Sequence, residues 1–225
     1  MRRLLILAAL AGCAPQAAVG RARTLPPGAS TIGGGIDASV TRPNSPNDTD
    51  PKLPSGNLGV TYRRGLTDRV EMGGRTWGIG IPAFWTLGIA LDGKVSLRRS
   101  PDPRHGIDVA ADVIVGYERV VNGGTPWHIG SAAATILVGH NLGRHAITWG
   151  PRAGYAIWGG EGQNPIYLQL YGASCAFAWR LGKNWELTPE LLVLYSPVHF
   201  GGEVEGSRQD GAWATQLSIG LTRRL

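Results

Sequence analysis

Apolar and polar residues alternate with a period of two along most of the chain from about residue 26 onward. The clearest case is 85–98, where odd positions carry mostly Trp, Leu, Ile and Val and even positions include Thr, Asp, Lys and Ser. The segment 107–118 repeats the pattern. Because successive side chains of a strand point to opposite faces, this alternation predicts β-strands with one apolar and one polar face.

The alternating segments are long for strands. Strands of globular proteins usually have about five or six residues, whereas a tilted strand needs about 9–11 residues to cross a bilayer. The two clearest segments therefore predict strands that span a membrane. Two others, 126–139 and 166–181, are ambiguous in phase, and we expect a β-bulge in each. The eight remaining candidate strands lie at about 28–41, 56–63, 69–80, 126–139, 145–158, 166–181, 185–196 and 212–223.

The connections between these segments alternate in length. The longer set includes 42–55, which is rich in Pro, Asn and Asp, and 197–211. Short turns at one end and longer loops at the other are the layout of a transmembrane barrel. The fold class is therefore all-β, a closed antiparallel up-and-down transmembrane β-barrel of about ten strands, with eight or twelve as alternatives. The short connections are 64–68, 100–105, 141–144 and 182–184.

The turn 65–73 and the last strand carry a family resemblance. Leu217, Ile219 and Leu221 alternate before the terminal Leu225, although Arg223 interrupts the series. With this alternation, residues 26–225 resemble the small bacterial outer-membrane β-barrel proteins, porin-like barrels included. The resemblance implies a location in the outer membrane of a Gram-negative bacterium, contact with its lipid and lipopolysaccharide, and both termini in the periplasm. Leu225 stands where that family usually has an aromatic residue.

The N-terminus has the pattern of an export signal. A basic start precedes the apolar run 4–11, which is too short to span a bilayer, so 1–12 is predicted to be a signal peptide. Leu10-Ala11-Gly12-Cys13 resembles the bacterial lipobox, which implies a lipid on Cys13. Residues 13–27 would then be a tether and 28–225 the barrel. The alternative is a plain signal peptide cut near residues 17–20, with Cys13 discarded.

The polar faces of the strands carry charges of both signs. If the apolar faces meet lipid, these charges line the lumen, where Lys94 and Arg98 are one turn from Asp108 and Asp112. One interpretation is an ion-pair network in a narrow, plugged barrel, since about ten strands leave little interior space. The other is a charged lining that passes small solutes. The predicted lumenal charges are Arg63, Glu71, Arg75, Asp92, Lys94, Arg98, Asp108, Asp112, Glu118, Arg152, Glu186 and Glu190. A further pairing, of Arg180 with Glu186 and Glu190 across the turn 182–184, is also expected.

Tryptophan is unusually frequent, with eight Trp against three Phe. Most of the Trp residues fall near predicted strand ends. Aromatic side chains at both membrane interfaces are expected of a transmembrane barrel. We therefore predict six interface aromatics: Trp85, Trp127, Trp149, Trp158, Trp185 and Trp213.

Composition and charge exclude several function classes. A composition of 43% apolar and 17% charged residues argues against long disordered segments, and 34 Gly argue against a helical bundle. The net charge is +6, yet the basic residues are scattered and no nucleic-acid-binding module is present, so no nucleic-acid partner is expected. His140 and His145 flank a turn, but two histidines do not make a zinc site. No cofactor or metal is predicted.

Enzymatic chemistry finds little support in the sequence. The candidate nucleophiles are Ser131 with His128, Ser174, and Ser196 with His199. Ser174 fails as a nucleophile elbow, because the segment 172–176 lacks the last Gly and lies on a predicted strand. We expect no enzyme, but a structural or surface-interaction role whose contact surface is the loops 42–55 and 197–211. The alternatives are a narrow porin-like diffusion channel, an outer-leaflet lipid hydrolase or acyltransferase, and a lipid-tethered soluble ligand-binding barrel with its apolar residues inside.

Overall fold

The computed structural model describes residues 20–43, 53–81, 84–122, 125–160, 165–199 and 211–225. Every regular element in these ranges is a β-strand. In this part of the chain no helix is both long and apolar enough to cross a membrane. The strands are β1 (Ser30–Pro43), β2 (Leu53–Gly65), β3 (Val70–Ile81), β4 (Phe84–Arg98), β5 (His105–Asn122), β6 (Thr125–Leu142), β7 (His145–Gly160), β8 (Ile166–Leu181), β9 (Trp185–Ser196), β10 (Val198–His199) and β11 (Ala212–Arg224).

The strands form a closed ring. Each of β1 to β8 pairs antiparallel with the next strand, β9 pairs with β11, and β11 pairs with β1 along its whole length. The two-residue β10 only extends the edge of β8. The ring therefore contains ten long strands, which confirms the predicted all-β, up-and-down barrel and replaces the alternatives of eight and twelve strands.

The strands have apolar outer faces and polar inner faces. In β4 the outward Leu91 is 64% exposed, whereas the inward neighbours Asp92 and Lys94 are 4% and 2% exposed. Ile36 of β1 and Leu58 of β2 continue the exposed apolar surface at 55% and 62%. A soluble ligand-binding barrel would have its apolar side chains inside and its polar side chains outside. The observed orientation is the reverse, so the alternative of a lipid-tethered soluble barrel is wrong.

The strand register is irregular at a different place from the two β-bulges that the sequence predicts. The bulges expected at 126–139 and 166–181 are absent, because β6, β7 and β8 keep one register along their pairings. Pairing lapses without a register shift near Pro151 of β7 and near Pro189 of β9, because proline has no N–H to donate. The register shift lies instead between Ser96 and Arg98 of β4. It leaves Arg98 exposed, which corrects its predicted lumenal position.

The two ends of the barrel differ. At the end we call the turn end, short turns join β2 to β3, β4 to β5, β6 to β7 and β8 to β9, and β1 begins beside the end of β11. The opposite end, the loop end, carries the connections that include 42–55 and 197–211. Residues 44–52 and 200–210 of those loops lie outside the described residues, as do Cys13 and the whole predicted signal segment.

Candidate functional site in the barrel interior

Apolar side chains fill the interior near the loop end. The rings of Trp127 and Trp158 meet edge to face with centroids 5.2 Å apart, and they are 7% and 2% exposed. The sequence predicts both Trp residues at the membrane interface. Both predictions are wrong, because these positions of β6 and β7 face the interior of the barrel. We call this group the loop-end cluster: Trp127, Ile129, Ala156, Trp158, Leu168, Leu170 and Ala212.

The remaining predicted interface aromatics lie on the outer surface. Trp149 and Trp185 are exposed near the turn end, and Trp85 and Trp213 are exposed near the loop end. The guanidinium carbon of Arg223 lies 5.7 Å from the ring centre of Trp185, so a cation covers one of these rings. These Trp positions form two exposed bands, one near each end of the strands.

A network of charges crosses the lumen in its turn-end half. Arg63 of β2 lies at its centre, with Nε 2.5 Å from a Glu71 oxygen and Nη2 2.5 Å from Asp92 and 3.6 Å from Asp112. Lys94 Nζ is 3.2 Å from the same Glu71 oxygen. Since Arg63 and Asp112 belong to β2 and β5, the network joins strands that do not pair with each other.

Further charges are buried around this network. Glu118, Arg152 and Glu190 are 1%, 5% and 2% exposed, and Arg75 Nη2 lies 3.8 Å from Asp92. Of the twelve charges predicted to face the lumen, eleven are at inward positions: Arg63, Glu71, Arg75, Asp92, Lys94, Asp108, Asp112, Glu118, Arg152, Glu186 and Glu190.

An N-terminal segment, residues 20–27, crosses the barrel mouth at the turn end, and we call it the strap. Ala22 and Thr24 are 1% and 2% exposed, and Ala22 packs against Ala110 and Leu137 of β5 and β6. The backbone N–H of Leu25 donates to the Glu71 carboxylate at 2.8 Å. The sequence predicted these residues only as a tether, since no periodic pattern marks them.

The strap supplies ion-pair partners that the sequence assigned to other residues. Arg21 Nε lies 2.7 Å from Glu186 and replaces the expected Arg180. Arg23 Nη1 lies 3.5 Å from Asp108 and replaces the outward-turned Arg98. Lys94 bonds Glu71 on β3 instead of Asp112 and donates to the Arg21 carbonyl at 2.8 Å.

A cavity of about 810 Å³ extends from the strap into the barrel. One wall is built from β1, β2, β9 and β11, where glycine and small hydroxyl side chains face inward and leave the space open. Its deepest acidic residue is Asp37, which accepts a hydrogen bond from Asn57 at 3.5 Å. The inward small residues of this wall that line the cavity are Thr31, Gly35, Gly59, Thr61, Thr188, Ser218, Gly220 and Thr222.

Cations dominate the lining of this cavity, with eleven Arg or Lys against three acids. At the turn end, five of the cations form no ion pair with a described carboxylate, and we call them the rim cations: Arg104, Arg144, Arg180, Lys183 and Arg224. The nearby exposed Asp102 belongs to a turn, where the Arg104 N–H holds the pKa of its carboxyl below the usual value. The rim is therefore strongly positive.

The catalytic candidates from the sequence do not come together. Ser131 faces the interior and His128 the outer surface, where His128 Nδ1 lies 2.5 Å from the Tyr117 hydroxyl. Ser196 is 1% exposed inside the barrel, and the His199 side chain lies outside the described residues. Among the side chains that the structure describes, no group of three or more His, Cys, Asp or Glu could hold a metal ion.

An apolar outer surface combined with a charged interior is characteristic of one structural class of β-barrel. In a closed barrel every backbone group pairs between strands, so only the outer side chains meet the surroundings, and here they are apolar. This is the construction of β-barrels that span membranes. The chain has that architecture.

Comparison with known proteins gives structural resemblance only. No protein-family model matches the chain, and no curated protein matches it. The fold is similar to the outer membrane protease OmpT from Escherichia coli, at 9% identity and a TM-score of 0.47, with 91% of this chain and 100% of that one covered. It is also similar to the translocator domain of the autotransporter NalP from Neisseria meningitidis, at 12% identity and 0.41, covering 97% and 93%.

A third similar structure is Ail, the attachment invasion locus protein of Yersinia pestis. It is 13% identical, with a TM-score of 0.31, and the match covers 88% of this chain and 99% of that one. With identities this low, we take the function of the chain from its own geometry.

Proposed function

We propose that the protein is a non-enzymatic outer-membrane β-barrel of a Gram-negative bacterium, with a closed lumen and a structural or surface-interaction role. The observation that carries the proposal is the reversal of faces: Leu91 and its outward neighbours are exposed while Asp92 and Lys94 are buried. A lipid surrounding satisfies such an exterior, whereas water would not.

Three layers along the barrel axis support a closed lumen. The loop-end cluster fills one end, the strap crosses the turn end, and the Arg63 network lies directly inside the strap, where Glu71 accepts a hydrogen bond from Leu25. A ring of ten strands is only slightly wider than the eight-stranded barrels whose side chains fill the interior. Ions that enter from one end would meet apolar side chains or fixed ion pairs before they reach the other.

The proposed orientation places both termini and the short turns in the periplasm and the longer loops at the cell surface. Long loops face outward in bacterial barrels of this kind. The loops 42–55 and 197–211 would then contact a surface or envelope protein, and the outer belt would contact lipid and lipopolysaccharide. A lipid on Cys13 would be detected as a mobility shift that Cys13→Ser abolishes.

Bilayer insertion and ion conductance test the proposal together. Protein reconstituted into phosphatidylcholine vesicles is expected to float with them in a density gradient and to resist extraction at alkaline pH. Planar bilayers fused with the same vesicles are then expected to stay electrically silent. Failure to float would contradict the membrane assignment, and discrete current steps would contradict the closed lumen.

A narrow diffusion channel is the second candidate, and the cavity of about 810 Å³ favours it. The cavity opens part of the lumen along β1, β2 and β11, beginning at the turn end. Reproducible current steps in the conductance experiment would put this function first.

The absence of enzymatic activity is tested separately. Ser196 and Ser131 are the serines that the sequence pairs with a histidine, and both face the interior. Cells that carry Ser196→Ala or Ser131→Ala are expected to keep the lipid composition of cells with the unmodified protein, as judged by mass spectrometry of extracted outer membranes. A changed acyl-chain pattern in either variant would contradict the proposal.

A further inference from the structure

We propose that the turn-end part of the cavity binds a small polyanion that carries phosphate groups. The site is formed by the rim cations together with the strap, and it goes beyond the structural role proposed above. It requires the folded barrel but neither a closed lumen nor a surface partner. Because the cavity holds about 810 Å³, its volume suits a small solute or a lipid headgroup.

The first support is the local excess of positive charge. Arg144, Arg180, Lys183 and Arg224 come from the ends of three different hairpins or strands, and the fold gathers them around one opening. Like charges brought together cost free energy, because each repels the others. A bound polyanion offsets that cost, since charge-assisted hydrogen bonds to phosphate are among the stronger polar contacts.

The second support is the way the strap uses the nearby acids. Glu186 is the acid closest in sequence to Lys183, and the register sets it opposite Arg180. Its carboxylate bonds Arg21 of the strap at 2.7 Å, and Arg21 also donates to the Arg144 carbonyl at 2.6 Å. The strap therefore neutralises the acid beside the opening and leaves the rim cations facing the cavity.

The third support is the deeper lining, where buried carboxylates already pair with Arg63, Arg75 and Lys94, so that these cations are not available to an anion as the rim cations are. Glu71 and Asp37 lie further inside, and Glu71 is already paired with Arg63 and Lys94. An anion that moved past the strap would approach these carboxylates. The rim is consequently the preferred depth, and Arg is well suited to it because its planar fork binds phosphate oxygens in pairs.

Calorimetric titration with inorganic pyrophosphate tests the site. The full chain, folded in a detergent without phosphate, is expected to bind pyrophosphate in low salt and to lose affinity as salt increases. Arg180→Gln combined with Lys183→Gln is expected to weaken binding by about tenfold or more. The matched control is Arg64→Gln with Arg69→Gln, which removes the same charge at the same end from exposed residues outside the cavity lining.

The outcomes separate the proposal from its alternatives. No binding by the unmodified protein, or equal weakening in both double variants, would overturn the site. Arg180→Lys with Lys183→Arg keeps the charges and is expected to retain binding, which distinguishes a binding defect from a folding defect. Each variant is first checked for β-structure by circular dichroism.

The source of the phosphate is distinguished by repeating the titration in vesicles. If a lipid headgroup occupies the site, phosphatidylglycerol in the vesicles is expected to compete and to weaken pyrophosphate binding relative to phosphatidylcholine alone. If the ligand is a free solute, the two vesicle types are expected to give equal affinities. Either result supports a phosphate site at the rim, provided that the cavity variants reduce binding and the control pair does not.

Discussion

The two sides of the barrel wall use their inward positions in opposite ways. On β1, β2 and β11 the inward residues include Gly35, Gly59 and Gly220, and a cavity remains beside them. On β6, β7 and β8 the inward positions carry Trp127, Trp158 and other large apolar residues that fill the space. Both sides have the same apolar exterior, so the interior can vary while the surface toward lipid stays constant.

This difference separates two requirements of the fold. The exterior must be apolar everywhere because it meets one uniform surrounding. The interior must only pair its buried charges and accommodate its side chains. It does so by close packing on one side, and by ion pairs and open space on the other. We expect substitutions on the filled side to change stability, and substitutions on the open side to change binding.

The largest effect is expected from Arg63→Met. This change removes the cation that bonds Glu71, Asp92 and Asp112, and three carboxylates would then face each other in a buried space. Removal of one partner from a buried charge network typically costs about 3–5 kcal/mol. Urea unfolding in lipid vesicles, followed by Trp fluorescence, measures the loss. The control is Arg64→Met, the exposed neighbour, and equal losses in both variants would refute a central role for Arg63.

The next effect is expected from Trp158→Ala in the loop-end cluster. The ring is 2% exposed and packs against Trp127, so its loss leaves a void that typically costs about 3 kcal/mol or more. The same unfolding assay applies. Trp213→Ala on the outer surface is the matched control and is expected to cost less. A larger loss of stability for Trp213→Ala than for Trp158→Ala would contradict the tight packing of the interior beside β6, β7 and β8.

A pair of glycine substitutions compares the two sides directly. A Cβ at the inward Gly154 of β7 would lie 2.9 Å from the Ala133 Cβ and from the Ala132 carbonyl oxygen, so Gly154→Ala is expected to cost about 1–3 kcal/mol through overpacking. A Cβ at Gly220 would have its nearest neighbour, the Thr188 carbonyl oxygen, at 3.9 Å, so Gly220→Ala is expected to stay within about 0.5 kcal/mol. Thermal unfolding of the two variants ranks them, and a reversed order would contradict the comparison.

The smallest effect on stability is expected from Arg21→Gln in the strap. Both partners of the Arg21–Glu186 pair are partly exposed, at 23% and 21%, so solvent screens the interaction and its loss costs less than about 1 kcal/mol. Hydrogen exchange at 21–29 is the sensitive measurement, and faster exchange is expected there. Arg104→Gln, a rim cation whose side chain does not bond the strap, is expected to leave that exchange unchanged.

The sequence was sufficient for the fold because the alternation is locally determined. Strand phase follows from a period of two, so Leu91 and Asp92 could be assigned to opposite faces without any tertiary contact. The number of strands followed from the spacing of the turns. Both features depend only on the local order of residues along the chain.

The site could be predicted only in part, for reasons that particular residues illustrate. Arg98 was assigned to the lumen because its position fits the phase, but a shift after Ser96 turns it outward. Trp127 and Trp158 were assigned by nearness to strand ends, although their phase points inward. The strap was missed since its contacts, such as Arg21 with Glu186, join residues 165 positions apart and leave no periodic signal.

The path of the strap has a consequence for where an anchor would hold the protein. The strap begins with Arg21 bonded to Arg144 of the β6–β7 turn and ends beside Gly65, next to β1. If Cys13 carries a lipid, Gly20 follows it by seven positions, a span of at most about 25 Å. A lipid on Cys13 would therefore lie within about 25 Å of the mouth that the strap crosses, and it would hold the turn end of the barrel against one leaflet of the membrane.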